Sequence, residues 1–528
     1  MATAFFVGLG IFLSRVAGLI RERVLATYFG TGLHADVFAA GMRLPNVLQN
    51  LLGEGTLSAS FIPAYSALLG QGRTAEAGRV AGAAFALLLA VAGAISLVGV
   101  LFAPLIVTVF TTGFTGQRRE LLIAIVRILF PMTGVLVLSA WALGILNSHR
   151  KFFLPYFAPV LWNAAIIGAF VAFGSQLELD ALLMAVAWGA LLGGALQFAV
   201  QLPAVWRLDR EIRFSTGKNE PAFREVVRKA GPAIMGRGVV QISGYVDLWL
   251  ASLLAVGAVS QLRYAQTLYL LPISLFAMSV AAAALPELAR ERDAAVGALR
   301  ERTVAALQRV AFFVVPSFVA FVVLGDVLVA GLYRAGEFGD ADVRIVWWIL
   351  VAYSLGLLAS TTTRVYQSAF FALRDTVTPA RAATVRVAVA LATGAVLMVQ
   401  FEPVTLFGFT IPAGAFSSLD ALGLPLGPVG LAVGASLGAW VEWALLKRAL
   451  TALLGGVGTG SARLARMFAA ALAAAVAAYA ASRSISVHAL LEAAVAAFVF
   501  GAVYLGVAAA LGLEQAAALL KRLQRRAR

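Results

Sequence analysis

The sequence contains no cysteine and only three histidines among 528 residues. The first absence excludes disulfides, thiol nucleophiles and thiolate metal sites. The second leaves His34, His149 and His488 too scattered to form a metal cluster. Charge is also scarce, since Asp, Glu, Lys and Arg make up 13% of the chain, against about 25% in an ordinary soluble domain. No P-loop, nucleophile elbow, HExxH or dinucleotide fingerprint stands in a strand-to-helix setting. A single soluble domain is therefore excluded, and an enzyme is not expected.

What the chain has in abundance is apolar length. Hydrophobic residues make up 61% of it, and stretches of about 20 such residues, enough to cross a bilayer, recur from Phe5 almost to the C-terminus. Barrel strands would alternate over about ten residues; these runs are longer and continuously apolar, so the predicted fold class is an all-α polytopic membrane protein. Cutting at charged and turn-forming breaks gives roughly fourteen spans, among them 35–69, 231–256, 259–285 and 382–401. The start lacks a basic n-region and a convincing cleavage site, so no cleaved leader is expected.

The formal net charge of +15 is explained by where the basic residues lie. One set of alternate loops holds Arg73 and Arg79, Arg150 and Lys151, the Arg207 to Lys229 linker, Arg290 to Arg302, Arg374 to Arg386, Lys447 to Arg466 and the Lys521 to Arg528 tail. It carries roughly 27 basic residues against roughly five in the opposite set, which predicts cytoplasmic termini. That asymmetry makes nucleic acid an unneeded partner, and the basic tail suits anionic lipid. Nothing in the sequence requires more than a monomer.

The long polar interruption after the sixth span suggests two halves: an N-lobe over 1–206, a linker over 207–230, a C-lobe over 231–450, and a C-terminal helix pair with a basic tail over 451–528. Leu25, Ala26, Gly32, Pro45 and Pro63 have weak counterparts in Leu250, Ala251, Gly257, Pro272 and Pro286, the kind of parallel repeat common in transporters.

Ionisable groups within spans are costly and mark cavities or pathways. Here most are cationic: Arg15, Arg21, Arg23, Arg43, Arg127, Arg237, Arg263, Arg309 and Arg364. Snorkelling explains Arg23, Arg127 and Arg309 well, but Arg15, Arg43 and Arg263 less easily. On an uninterrupted helix, Asp36, Arg43, Asn50 and Glu54 would form one polar stripe, with Pro45 kinking it; Ser260, Arg263, Thr267 and Ser274 would form another. Salt bridges to neighbouring arginines are the competing account of Asp36 and Glu54. Guanidinium groups around a wet cavity favour phosphate or pyrophosphate. Asp247 reads as the one deeply placed carboxylate of the second half, either holding a coupling cation or pairing with Arg237 or Arg364.

These residues lie in segments that resemble the MurJ (MviN) lipid II flippases of the multidrug/oligosaccharidyl-lipid/polysaccharide (MOP) exporter superfamily. The strongest marks are SRVAGLIRERVLATYFGTG from Ser14, ADVFAAGMRLPNVLQNLLGEGTLSASFIP from Ala35 and GILNSHRKFFLPYFAPVLWN from Gly144. Weaker ones are QISGYVDLWLASLLAVGAVSQLRYAQTL from Gln241 and YQSAFFALRDTVTPAR from Tyr366. The resemblance implies fourteen helices in two six-helix lobes plus a C-terminal pair, with an arginine-lined central cavity. It also implies outward transfer of undecaprenyl-pyrophosphate-linked peptidoglycan precursor by alternating access. Its motifs place substrate-binding roles on Arg15, Arg21, Asp36, Arg43, Asn46 and Glu54. Gln49 and Thr267 stand where the family has arginines, and Arg263, one turn from Thr267, can replace the second charge. Asp247 and Asp375 match positions that bind sodium in some members, whereas Phe371 occupies another position of that site; sodium or the membrane potential is the expected driving force. The alternatives are an exporter of another polyprenyl-linked saccharide and a non-transporting membrane scaffold.

The charge asymmetry yields a direct test. Alkaline phosphatase fused after Arg528 should be inactive and after Arg119 active, because only the second junction is predicted to face the periplasm; the reverse pattern overturns the orientation.

Overall fold

The computed structural model describes residues 2–217, 220–274, 296–406, 409–415, 425–484 and 488–527. Pro286 and the side chains of Glu54 and Arg237 lie outside the described set. The chain forms two compact units, divided between Val259 and Ser260.

Unit 1 contains α1 (Ala2–Phe29), α2 (Leu33–Arg43), α3 (Asn46–Leu52), α4 (Glu54–Gly70), α5 (Thr74–Leu101), α6 (Ala103–Phe110), α7 (Gly116–Ser148), α8 (Phe153–Phe157), α9 (Pro159–Phe173), α10 (Leu179–Ala199), α11 (Leu202–Leu208) and α12 (Pro221–Ser252). Its core is α7, packed by α2, α4, α5 and α10. Outward faces keep large apolar side chains such as Leu97, Leu101 and Leu192 exposed, as expected where acyl chains rather than water are the solvent.

The predicted 35–69 span is three helices, which corrects the single polar stripe read from its sequence. Pro45 supplies no N–H and separates α2 from α3. At Gly53, which caps α3 with extended backbone, an added Cβ would collide with the Gln49 carbonyl. The carbonyls freed at the first break are met by α12, whose Tyr245 hydroxyl lies 3.3 Å from the Arg43 oxygen and 3.2 Å from that of Leu44. Trp249 donates to Thr112 Oγ1 at 2.8 Å, and Asn50 donates to Gln241 at 2.8 Å. These ties place α12 in unit 1, although it follows the polar linker. The linker itself is strapped down, because Cβ atoms at Gly78 and Gly82 of α5 would collide with the backbone of Glu211 and Arg213. Tyr65 donates to Asp209 at 2.8 Å. His149 Nε2, 3.0 Å from the same hydroxyl, must then be the donor to it. Burial pushes this imidazole below its ordinary pKa, with Asp209 opposing.

Unit 2 contains α13 (Ala258–Pro272), which begins at the division, then α14 (Val296–Val323), α15 (Gly325–Tyr333), α16 (Asp340–Ser354), α17 (Leu357–Ala372), α18 (Val377–Phe401), α19 (Gly427–Leu454), α20 (Ser461–Arg483), α21 (Ala489–Ala510) and α22 (Glu514–Ala527). A small antiparallel hairpin, β1 (Val404–Leu406) with β2 (Phe409–Ile411), follows α18. Helices α14, α20 and α21 share a core of alanines with Phe312, Phe500 and Tyr504. The tightest pair is α18 with α19. A Cβ at Gly430 would come within 2.8 Å of Leu397 backbone, at Gly434 within 2.5 Å of Gly394 Cα, and at Gly438 within 2.7 Å of the Arg386 carbonyl. Small residues every four positions let two spans approach backbone to backbone, as intramembrane packing favours.

One backbone signature occurs in both units. Arg150, after α7, and Arg374, after α17, adopt left-handed φ values of 59° and 60°, and the next residue donates back to Leu146 or Phe370. Glycine is the usual occupant of such helix ends.

Ten described helices or helix pairs are long and apolar enough to cross a membrane, and the fold is an all-α polytopic membrane fold. Gly434→Leu should cost about 1–3 kcal/mol through overpacking and lower the unfolding midpoint in detergent. Gly501→Ala, which meets nothing within 4 Å, is the control; equal midpoints would refute the close-packing account.

Candidate functional site

In unit 1, Asp36, Arg43 and Asn46 are set at helix ends and breaks, and Arg15 and Arg21 within α1. Asp36, in the first turn of α2, is fully buried. Its Oδ2 accepts from the Arg118 guanidinium of α7 and, at 2.7 Å, from the N–H of Gly257. Arg118 also lies 3.5 Å over the Phe114 ring. Beside this cluster, Asp180 takes Gln117 Nε2 at 2.8 Å and lies 2.6 Å from His34 Nε2. A buried carboxylate is tolerable only when paired and hydrogen-bonded, so Asp36 clamps α2, α7 and the turn after α12 together. The salt-bridge account of Asp36 is the one this geometry favours, and Arg118 is its partner.

The cations of α1 are held differently. Arg15 is exposed, while Arg21 is half-buried, 2.6 Å from Glu22 Oε1 and 4.9 Å over Trp162 of α9. Arg43 stands at the C-terminal end of α2, where Pro45 stops the helix. Its guanidinium lies against Gly244 of α12, where an added Cβ would sit 2.9 Å from Nη2. A side chain at 244 would thus push it away. Asn46 opens α3 half-buried, and Gln49 is exposed one turn on. A cavity of about 670 Å³ in the same unit is lined by Leu44, Val47, Ile95, Phe110, Tyr245 and Trp249 among others. Its wall is greasy and suits hydrocarbon rather than phosphate.

In unit 2, Arg263 and Thr267 lie half-buried on α13, and the Thr267 hydroxyl donates to the Arg263 carbonyl at 3.0 Å. Thr267 thus satisfies itself on its own helix, leaving Arg263 as the cation of that face. Two flanking residues connect α13 to its neighbours, Gln266 donating to Tyr353 at 2.8 Å and Tyr269 to Ser360 at 3.1 Å.

Sequence reasoning missed a second charged cluster here. Glu442, in the middle of α19, is 1% exposed, so Asp247 is not the one deeply placed carboxylate of the second half; Asp247 is exposed on α12. Gln367 donates to Glu442 Oε1 at 3.0 Å and Arg386 to Oε2 at 3.1 Å. Arg386 closes the basic stretch counted as cytoplasmic loop and also falls in the predicted 382–401 span; the helix begins earlier, α18 starting at Val377. The signal for that start is in the sequence: Asp375 accepts from the N–H groups of Val377 and Thr378, both at 2.9 Å, an Asp two residues ahead of a helix with Pro379 in its first turn. These bonds hold the Asp375 carboxyl below the usual range, the side chain of Thr378 contributing most. Asp375 is committed as a cap, and Phe371, exposed at the end of α17, offers a ring rather than an oxygen. Among the described residues no group of three or more His, Asp or Glu is placed to hold a metal ion.

Comparison with known proteins gives one consistent result. The sequence profile described as lipid II flippase MurJ matches residues 25–505. The lipid II flippase MurJ of Burkholderia cenocepacia is 32% identical over 432 residues, covering 79% of this chain and 81% of its own. The probable lipid II flippase MurJ of Vibrio cholerae is 29% identical, covering 83% and 80%. Among solved structures, a lipid II flippase MurJ in an inward closed conformation superposes with a TM-score of 0.75 at 23% identity, covering 96% of this chain and 98% of that one. An inward-facing multidrug resistance MATE family transporter of the MOP superfamily superposes at 0.63 and 17% identity, covering 83% and 95%. The structural likenesses establish the fold.

Replacing Asp36 or Arg118 singly with Ala should cost about 3–5 kcal/mol, since each leaves a buried charge unmatched, and the double replacement less than the sum. Denaturant unfolding of the four purified proteins measures this; strict additivity would dissolve the clamp.

Proposed function

The chain belongs to the MurJ family of lipid II flippases, and from that premise we propose that it carries lipid II from the cytoplasmic to the periplasmic leaflet of the bacterial inner membrane by alternating access. The fold is that of a multi-pass transporter. Arg15, Arg21 and Arg43 bind the pyrophosphate, because guanidinium forks match phosphoryl oxygens and stay charged at any physiological pH. Asn46 adds a neutral hydrogen bond, and Asp36 holds α2 where Arg43 can serve. The observation that supports the reading best is Arg43: it stands at a proline break, backed by a glycine that leaves its guanidinium room.

The inside-negative potential drives the step. Outward movement of anionic charge gains about 2.3 kcal/mol per charge per 100 mV when the whole field is crossed, which suffices for a doubly charged headgroup. Asp247 and Asp375 have no part in this scheme. The lipid II molecule is the partner, membrane lipids carry its tail, both termini face the cytoplasm, and one chain is enough.

A second reading, export of another polyprenyl-linked saccharide, is favoured by Gln49 and by the self-satisfied Thr267, which stand at two arginine positions of the family. Mass spectrometry of lipid co-purified with the protein separates the two. Arg15→Ala and Arg43→Ala should each abolish rescue of a flippase-depleted strain while inserting normally; growth with both variants overturns the assigned roles.

A further inference from the structure

The cluster around Glu442 contains more positive charge than it neutralises. Glu442 is buried, and its two oxygens are taken by Gln367 and Arg386. Arg364 is the second cation at this place: Arg386, Tyr269 and Glu442 are the charged and polar groups that act on it through space. Among the described residues it makes no ion pair within 4.0 Å. Two arginines therefore share one carboxylate.

The placement is specific. Arg364 lies about 12 Å of helix before the end of α17, and Arg386 about 14 Å after the start of α18, so both sit at matched depth from the turn that joins the helices. Ser360, Arg364 and Gln367 fall on one face of α17 at helical spacing. Ser360 and Gln367 bind Tyr269 and Glu442, which keeps Arg364 directed between them. Arg364 is an exposed residue and the Arg386 side chain is 42% exposed, whereas the Glu442 carboxylate is buried. A ligand can reach the cations without meeting the anion. Unmatched cations at membrane depth are expensive, and an incoming phosphoryl group would remove that cost while accepting bidentate bonds.

We propose that Arg364 and Arg386, with Glu442 as the buried anchor of Arg386, form a phosphate-binding site within unit 2. It deepens the flippase reading and rests on it only for the carrier of the phosphate, a lipid headgroup rather than a free anion. Gln367 and Ser360 are positioning residues.

The test measures binding to the purified full-length protein in detergent, with gluconate as the buffer anion, using inorganic pyrophosphate and polyprenyl pyrophosphate as separate probes. Arg364→Gln should weaken polyprenyl pyrophosphate about tenfold, the loss of one charge-assisted contact, with an unchanged unfolding midpoint. Arg364→Lys should recover part of that loss, and Arg381→Gln, at an exposed position outside the cluster, none should be seen. Weakening of both probes assigns the site to phosphate in general; weakening of the lipid alone assigns it to the headgroup in its membrane setting. Unchanged affinity for both in Arg364→Gln overturns the site. Should Arg364→Gln fail to fold, equal affinities of Arg364→Lys and the parent protein overturn it instead. Neither negative result touches the flippase reading, which the Arg15 and Arg43 variants decide.

Discussion

A carboxylate that leaves water must take its counter-charge with it, and much of the described charge arrangement follows from that requirement. Asp36 is buried with Arg118 and a backbone N–H; Glu442 is buried with Arg386 and an amide. Neither pair need add stability compared with a hydrophobic replacement, since desolvation offsets most of the Coulomb gain. What each provides is position. The first joins two helices and a turn at one end of unit 1, and the second fixes a guanidinium at a chosen depth in unit 2.

The backbone obeys the same rule. Where Pro45 interrupts the second segment, the Tyr245 hydroxyl meets carbonyls that no helix can satisfy, so the break is permitted inside apolar surroundings. The break then sets the direction of Arg43. A kink that would be a defect in an isolated helix becomes, with its partner on α12, the feature that aims a cation.

Much of this was legible in the residues. Apolar length and the scarcity of charge gave the fold class, and the motifs around Arg15, Arg43 and Arg150 gave the family. The misreadings have physical causes. The start of the span at 382 is late because the basic residues from Arg374 to Arg386 read as loop, whereas Asp375 starts the helix at Val377. Glu442 was overlooked because one charge in a long apolar run scarcely lowers its hydropathy; its partners come from helices distant in sequence. The stripe through Asp36 and Glu54 assumed one continuous helix, and Pro45 and Gly53, both visible, divide it. Pairing of Asp36 with Arg118 depends on how α2 and α7 pack, which spacing along the chain does not encode.

The glycine contact between α18 and α19 has a mechanical consequence. Two rods whose main chains nearly touch along several turns, cross-linked by Arg386 and Glu442, have no room to slide or roll past each other without forcing backbone atoms to overlap. They travel as one plank. Bending must then be absorbed where the plank ends, at the capped turn beside Arg374 and at the glycine-terminated end after Leu454, so those two joints carry the compliance of this half of the protein.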